Sequence, residues 1–251
     1  MHVSYSEIKN WARCPYYHKL LYLDGLKVFK GNLYTAFGSA VHTACEKVHE
    51  LENKELISLF EKEFKTEAEA LEEYDTAFYE EMKGQGQKII PYIKNTLKTY
   101  FGEFEVVSVE EELYEDIWFL KERLSFKGYI DMVIRSGDEL HIIDWKTTTR
   151  GWNDRKRNDK MVTSQLLLYK YYYAQKHGHP LSKIKAHFGL LSRTSGGKSR
   201  VQFYEVESDE RKIEEALKYI ENFRYNVNKE NFVKNRLSCT YCEFKNTIHC
   251  P

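Results

Sequence analysis

The chain has 251 residues, of which 42% are hydrophobic and 30% are charged, a composition typical of a soluble globular protein with a sizeable core. Its 38 basic and 38 acidic side chains cancel, so overall charge gives no support to nucleic-acid binding, and any such site must depend on local charge segregation. No apolar run approaches the ~20 residues of a membrane helix, and the N-terminus lacks the apolar stretch of a signal peptide. We therefore expect an intracellular, cytoplasmic protein with no membrane partner.

The N-terminal part of the chain carries the signals of helices. Ser4, with Glu7 three residues later, has the form of a capping box and predicts the start of the first helix. Glycine interrupts helices and proline suits their first turn, which places further boundaries. The predicted helices run from Ser4 to about Leu23, from about Leu33 to Leu71, through a third region broken at Gly84 and Gly86, and from Pro91 to about Phe101.

From Glu105 the pattern changes to the alternation of polar and apolar residues that is typical of strands. Residues 136–138 (Ser-Gly-Asp) form a good hairpin turn between two of them. Helices are predicted from about Asp159 to Lys176 and from Asp209 to Val227. The predicted strands are residues 105–115, 117–126, 127–135, 139–147, 183–192 and 200–207. The order of helices, then antiparallel strands, then helix, strands and helix indicates an α/β core with a helical N-terminal annex.

Two aspartates and a lysine in neighbouring predicted strands have the character of a catalytic centre. Asp131 lies in one strand, and Asp144 and Lys146 share a face of the next because side chains alternate along a strand. Two carboxylates that lie close together repel each other unless a cation sits between them, and hard oxygen ligands suit Mg²⁺ or Mn²⁺. Lys146 can hold an attacking water or stabilise charge on a phosphate. The alternative is a hairpin with surface charges, which the apolar residues around both aspartates disfavour.

The cysteines form a second pattern. One lies near the start of the chain and three lie among the last 13 residues, and together four thiolates can hold a 4Fe–4S cluster or a tetrahedral zinc ion. His249 could replace a cysteine in a zinc site, and Cys45 is expected to be a buried thiol. The expected ligands are Cys14, Cys239, Cys242 and Cys250.

A basic segment directly after the catalytic strand is a candidate DNA contact, because Lys and Arg suit phosphates and an exposed tryptophan can stack on a base. A solvated loop is an equal alternative. A second segment, residues 195–199, has the look of a phosphate-binding loop, but Ser192 stands where the motif needs glycine, so a hairpin is expected there. The candidate DNA-binding residues are Arg150, Trp152, Arg155, Lys156, Arg157 and Lys160.

The motif of Asp131 followed by Asp144-Trp-Lys146 resembles the PD-(D/E)XK nuclease superfamily. Two further elements resemble its RecB-like branch: His42 in a Gly-x-x-x-His context, and the pair Gln165 and Tyr169 in a Gln-x-x-x-Tyr context. The resemblance implies a restriction-endonuclease-like core of a mixed central sheet flanked by helices. It also implies that His42, Asp131 and Asp144 bind the metal, and that Asp131, Asp144, Lys146, Gln165 and Tyr169 are catalytic.

The cysteine pattern resembles that of AddB-type and CRISPR-associated exonucleases, in which an iron–sulfur cluster joins the chain ends. This resemblance favours a 4Fe–4S cluster over zinc. It implies a single nuclease domain over residues 1–251: an annex with the histidine motif (1–104), a catalytic core (105–232) and a cysteine-rich tail (233–251) that packs on the N-terminus.

These observations together predict a metal-dependent DNA exonuclease that acts on single-stranded ends in recombination, repair or phage DNA processing. The sequence has no helicase or ATPase signature, so unwinding would need a helicase or recombination partner. The alternatives are a structure-specific endonuclease built on the same centre and a non-catalytic iron–sulfur module that binds DNA.

Overall fold

The computed structural model describes residues 1–27, 29–194 and 199–251. The hairpin expected around residues 195–198 therefore lies outside the described residues. The helices are α1 (Tyr5–Arg13), α2 (Pro15–His18), α3 (Leu33–Glu46), α4 (Asn53–Glu69), α5 (Thr76–Phe101), α6 (Asp154–Arg157), α7 (Lys160–His177) and α8 (Glu210–Asn228). The strands are β1 (His2–Ser4), β2 (Glu105–Asp116), β3 (Ser125–Ser136), β4 (Glu139–Thr148), β5 (Ile184–Ser192) and β6 (Val201–Glu205).

The first helical stretch begins at the predicted residue and reaches Leu23 as predicted, through a π-helical turn over Lys19–Leu23, but it is interrupted at Cys14. The Ser4 side chain accepts a hydrogen bond from the Glu7 backbone N–H, as a capping residue should. The Glu7 carboxylate does not complete a box, because it pairs with the buried His18 ring at 2.9 Å. Cys14 is extended, as residues before proline are, so α1 ends at Arg13 and the short α2 follows.

The expected break in the third helical region is wrong, because α5 is one helix of 26 residues that contains both glycines and Pro91. Gly86 is needed for packing rather than for a turn, since a Cβ there would collide with the Phe60 ring of α4. The long stretch predicted over residues 33–71 is in fact two helices, α3 and α4, packed against each other. Tertiary packing thus overrides the local signals of glycine and proline.

The sheet is mixed, which confirms the predicted fold class. Its order is β1-β3-β4-β5-β6, and β2 pairs with β3 along most of its length. The pairings β1–β3 and β4–β5 are parallel, and the others are antiparallel. Residues 117–124 are a connection between β2 and β3 rather than a strand, closed by a hydrogen bond from Ile117 N–H to the Leu124 carbonyl.

Helices cover both faces of the sheet. One buried cluster joins α1, α7 and α8 to side chains such as Ile130, Ile142 and Phe188. A second cluster joins α3, α4 and α5 to side chains such as Met132, Ile143 and Trp145. The sheet is therefore buried on both sides, as a largely hydrophobic β4 and β5 require. Among the described residues, no helix is both long enough and apolar enough to cross a membrane.

Candidate active site

The candidate site lies in a notch where β3 and β4 diverge. β3 pairs with β4 from Met132 onward and with β1 over residues 125–127, which leaves residues 128–131 between these two pairings. Asp131 bridges the notch, because its Oδ2 accepts a hydrogen bond of 2.6 Å from the backbone N–H of Trp145 on β4. Where the backbone hydrogen bonds between β3 and β4 stop, the Asp131 side chain accepts a β4 backbone N–H in their place. This hydrogen bond holds the Asp131 carboxylate beside β4.

Asp144 is almost completely buried, at 1% exposure, and is held from two sides. Its Oδ1 accepts a hydrogen bond of 2.7 Å from Gln165 Nε2, which lies on α7. Its Oδ2 lies 2.5 Å from Lys146 Nζ, although this ion pair lacks the geometry of a hydrogen bond and Oδ2 has no other partner among the described residues. Gln165 Nε2 also donates to the Tyr169 hydroxyl at 3.2 Å. The acid, the lysine and the Gln-x-x-x-Tyr pair therefore form one contact network.

His42 reaches the same notch from α3. Its Nδ1 lies 3.5 Å from Asp131 Oδ2, too far for a strong hydrogen bond. Burial lowers the pKa of His42, and the charge of nearby Asp144 offsets this only in part. The ring is therefore neutral near pH 7, which is the form of histidine that can bind a metal ion.

Negative charge is concentrated at the notch. Burial, and then the charge of Asp144, raise the pKa of Asp131 well above its ordinary value. Burial lowers the pKa of Lys146, but the carboxylates of Asp144 and Asp131 outweigh it, so the ammonium pKa lies above its ordinary value. One lysine cannot neutralise two buried acids. A divalent cation would relieve this repulsion, so the donor set fits a hard metal ion.

The donors are not already arranged as a ligand shell. In the described part of the chain, no group of three or more His, Cys, Asp or Glu side chains has the spacing of a metal site. Asp144 Oδ2 faces Lys146 instead of the other acid. A cation that takes Asp144 Oδ2 as a ligand would therefore displace the ammonium of Lys146 from this oxygen.

Sequence patterns did not predict that Glu110 or Glu46 lies near the notch. Glu110 lies in β2 between Val109, which pairs with Met132, and Glu111, which pairs with Ile130, so it stands across from Asp131. Its φ of 48° is unusual for a residue other than glycine. Burial, then the charges of Glu46 and Asp144, raise the pKa of Glu110. Glu110 is the first of three consecutive glutamates, and only its backbone geometry distinguishes it.

The cysteine-rich tail contacts the start of the chain. Tyr16 N–H donates to the Val233 carbonyl, and Asn235 Nδ2 donates to the Arg13 carbonyl at 2.8 Å. All four predicted cysteines line one small cavity together with Tyr17 and Phe244. Cys14 Sγ accepts from the Asn235 N–H at 3.4 Å, and Cys239 Sγ donates to the carbonyl of the same residue at 3.8 Å. Cys45 is fully buried elsewhere, in the annex.

The basic segment after β4 differs from the expectation at one residue. Trp152 is not exposed: it is 8% accessible and packs on Phe188, with Lys156 Nζ 4.7 Å above its ring. The tryptophan anchors the segment to the core and is not free to stack on a base. Of the other candidates, the Arg157 guanidinium lies 3.7 Å from the centre of the Tyr204 ring and Lys160 pairs with Glu215. The remaining three are exposed: Arg150, Arg155 and Lys156.

A mixed sheet flanked by helices, with paired aspartates and a lysine where two central strands diverge, defines a restriction-endonuclease-like protein. A model of the PD-(D/E)XK nuclease superfamily matches residues 2–248, so the chain belongs to that superfamily. A crystal structure from Eubacterium rectale, provisionally described as an exonuclease, has the same fold. It has a TM-score of 0.63 and 13% identity, and the match covers 100% of this chain and 90% of that one.

The crystal structure of SSO0001 has a TM-score of 0.45 and 14% identity, and the match covers 97% of this chain and 83% of that chain. A sequence search of curated proteins finds no match.

Proposed function

We propose that this nuclease is a metal-dependent DNA exonuclease of the RecB-like branch that acts on single-stranded ends. The observation that carries the proposal is the contact network of Asp144, Lys146 and Gln165, with Asp131 held beside it by the Trp145 backbone. Such a network of buried charges is costly unless it serves a ligand. The neighbouring structure that is described as an exonuclease supports this choice among nuclease activities.

Each side chain has a task that follows from its contacts. Lys146 carries a positive charge at neutral pH, so it can orient the attacking water or stabilise charge that develops on the phosphate. Gln165 fixes the orientation of the Asp144 carboxylate, and Tyr169 in turn contacts Gln165. With His42, Asp131 and Asp144 as ligands, a bound Mg²⁺ or Mn²⁺ would neutralise phosphate charge and lower the pKa of a water.

The cysteine tail supplies the second part of the proposal. Cys14, Cys239, Cys242 and Cys250 line one small cavity, which supports a common ligand, although in the described part of the chain they do not already have the spacing of a metal site. A 4Fe–4S cluster is proposed, with zinc as the alternative, and its role is structural because phosphodiester hydrolysis needs no electron transfer. A helicase or recombination protein is proposed as the source of single-stranded ends in repair, recombination or phage DNA processing.

The test compares end-labelled linear and closed circular single-stranded DNA, each incubated with Mn²⁺ or Mg²⁺. Release of mononucleotides or short oligomers from linear DNA alone is the expected result. Cleavage of the circles would replace the exonuclease with an endonuclease on the same centre. DNA binding without any cleavage, at a level matched by Lys146→Ala, would instead indicate a non-catalytic module.

A further inference from the structure

Arg193 is a buried cation with no acidic partner. It is only 9% exposed and follows β5 directly. Its guanidinium donates to Thr149 Oγ1 at 2.7 Å and to Gln85 Oε1 at 3.4 Å, and lies 4.9 Å from the centre of the Tyr34 ring. These partners are all neutral, and no described carboxylate forms an ion pair with it. An uncompensated buried charge is expensive, so its retention calls for an anion that binds there.

The space around Arg193 is suited to such an anion. One cavity of about 260 Å³ is lined by Tyr34, residues 147–149 and Arg193. A second, of about 450 Å³, adds Lys88 and Arg200. Glu80 and Glu81 also line the second cavity, but Glu80 pairs with Lys83 and Glu81 accepts from Gln85. Glu80 is thus engaged elsewhere, and Glu81 is linked to Arg193 only through the Gln85 amide, so neither acid forms an ion pair with the guanidinium.

Helix α3 connects this pocket to the catalytic notch. Tyr34, Gly38, His42 and Glu46 recur every four residues and so share one helix face. Tyr34 lies at Arg193, Gly38 lies against Thr147, and His42 lies at Asp131. The eight residues from Tyr34 to His42 span ~12 Å along the helix axis. Along β4, the three residues from Lys146 to Thr149 span ~10 Å.

We propose that Arg193, Tyr34 and Thr149 form a subsite for a non-scissile phosphate of the DNA strand whose scissile phosphate lies at Lys146. The planar guanidinium suits bidentate contact with phosphate oxygens, and the Thr149 hydroxyl can add a third donor. The position of the scissile phosphate rests on the proposed function. Glu46 and Glu110, at the other end of the α3 face, disfavour a second phosphate subsite there, so the bound strand extends from the notch towards Arg193.

The first experiment uses single-stranded oligonucleotides in which one phosphate at a time is replaced by a neutral methylphosphonate. One position near the cleaved bond should slow wild-type cleavage about tenfold, the scale of a lost charge-assisted hydrogen bond. Arg193→Gln should cleave the unmodified strand about tenfold more slowly and lose nothing further at that position. If each methylphosphonate slows cleavage by the same factor in the wild type and in Arg193→Gln, at every position, the proposed subsite is wrong.

The second experiment measures binding alone, so it does not depend on cleavage. Anisotropy of a labelled oligonucleotide without divalent metal should give a slope of log Kd against log salt that is smaller by ~0.7 in Arg193→Gln. Arg135→Gln, an exposed arginine near the opposite end of β4, is the matched control and should bind as wild type. If Arg193→Gln alters DNA binding but neither the wild type nor any variant cleaves DNA, the nuclease proposal is refuted and the subsite stands. If the wild type cleaves DNA but Arg193→Gln binds DNA as the wild type does, the subsite is refuted and the nuclease proposal stands.

Two variants separate a binding role from a structural one. Arg193→Met should keep or raise the melting temperature, because it removes an unpaired buried charge, while it weakens DNA binding. A large fall in melting temperature with unchanged binding would show that Arg193 only joins the annex to the sheet. If Arg193 variants do not fold, Lys88→Ala decides, because Lys88 is exposed and lines the second cavity beside Arg193. The slope of log Kd against log salt should also be smaller for Lys88→Ala than for the wild type, and an unchanged slope would count against phosphate binding beside Arg193.

Discussion

In the notch the Asp144 carboxylate is held by the side chains of Lys146 and Gln165, whereas in the cysteine-rich tail the sulfur atoms of Cys14 and Cys239 contact the backbone around them. Asp144 contacts Lys146 and Gln165, and Asp131 accepts from the Trp145 backbone, at distances of 2.5 to 2.7 Å that tie α7 and β3 to β4. The four cysteines share a cavity, and two of them contact Asn235. The notch is therefore positioned by the sheet itself, whereas the position of the tail would depend far more on the ligand proposed for its thiols.

The largest effect is expected from breaking the notch. Lys146→Ala should reduce cleavage by about 100- to 1000-fold, the loss typical of removing one group that stabilises transition-state charge. Asp144→Ala should be at least as severe. Since the sheet positions the notch, both variants should keep the wild-type circular dichroism spectrum and bind DNA. Steady-state cleavage of labelled DNA checks this, with Arg135→Gln as control, and wild-type rates in either variant would remove the assignment.

The tail should respond in stability and colour. Joining Cys14 to Cys239 closes a loop of more than 200 residues, and by analogy with disulfides this closure contributes ~4–5 kcal/mol. Cys239→Ser should therefore lower the melting temperature by about 10 °C. Protein purified without oxygen should be brown, and this variant should lose the colour, whereas Cys45→Ser should retain it. Colourless wild-type protein with stoichiometric zinc would exclude the iron–sulfur cluster, and unchanged stability would exclude any shared ligand.

His42 tests whether the notch binds metal through the annex. Even the loss of a group that only orients a metal ligand costs 10–100-fold in affinity, so His42→Ala should raise the Mn²⁺ concentration for half-maximal cleavage by roughly tenfold or more. The rate at saturating Mn²⁺ should change less. A titration of cleavage against Mn²⁺ measures both quantities, and His49→Ala, on a histidine beyond α3, is the control. Equal metal requirements in all three proteins would show that His42 is not a ligand.

The smallest expected effect concerns acid stability and lies away from both regions. His187 on β5 is buried and its Nε2 lies 3.1 Å from His141 Nδ1. Burial, and then the charges of His141 and Lys185, lower the pKa of His187 to about 3. Between its unfolded pKa of about 6.5 and that value, only the unfolded chain binds the proton. The contribution of neutral His187 to the stability of the fold is thus fully present above about pH 6.5, and it is lost progressively as the pH falls towards 3.

His187→Gln removes this titration while it keeps a polar side chain beside His141. The melting temperature of the variant should fall less between pH 7 and pH 4.5 than that of the wild-type protein. An identical pH dependence in both would show that other groups control acid unfolding. Because the pair lies outside the notch, the variant should also keep the wild-type metal requirement.

Much of the core and of the candidate site could be predicted from local patterns. The sequence pattern identified β3, β4, β5 and β6, and Asp144 and Lys146 were placed on one strand face because side chains alternate along any strand. Four-residue spacing likewise placed Gln165 and Tyr169 on one face of α7. These predictions succeed because backbone geometry alone decides which side chains in one element are neighbours.

Contacts between distant segments decided the rest. Position 86 within α5 is glycine because the Phe60 ring occupies the space that a side chain would need. Trp152 is buried because it packs on Phe188. Arg193 and Tyr34 are 159 positions apart, and no local pattern relates a residue after β5 to the first turn of α3. The sequence by itself determined which side chains share an element and which chemistry they offer. Only the tertiary structure decided which elements meet, because that depends on packing both faces of one sheet at once.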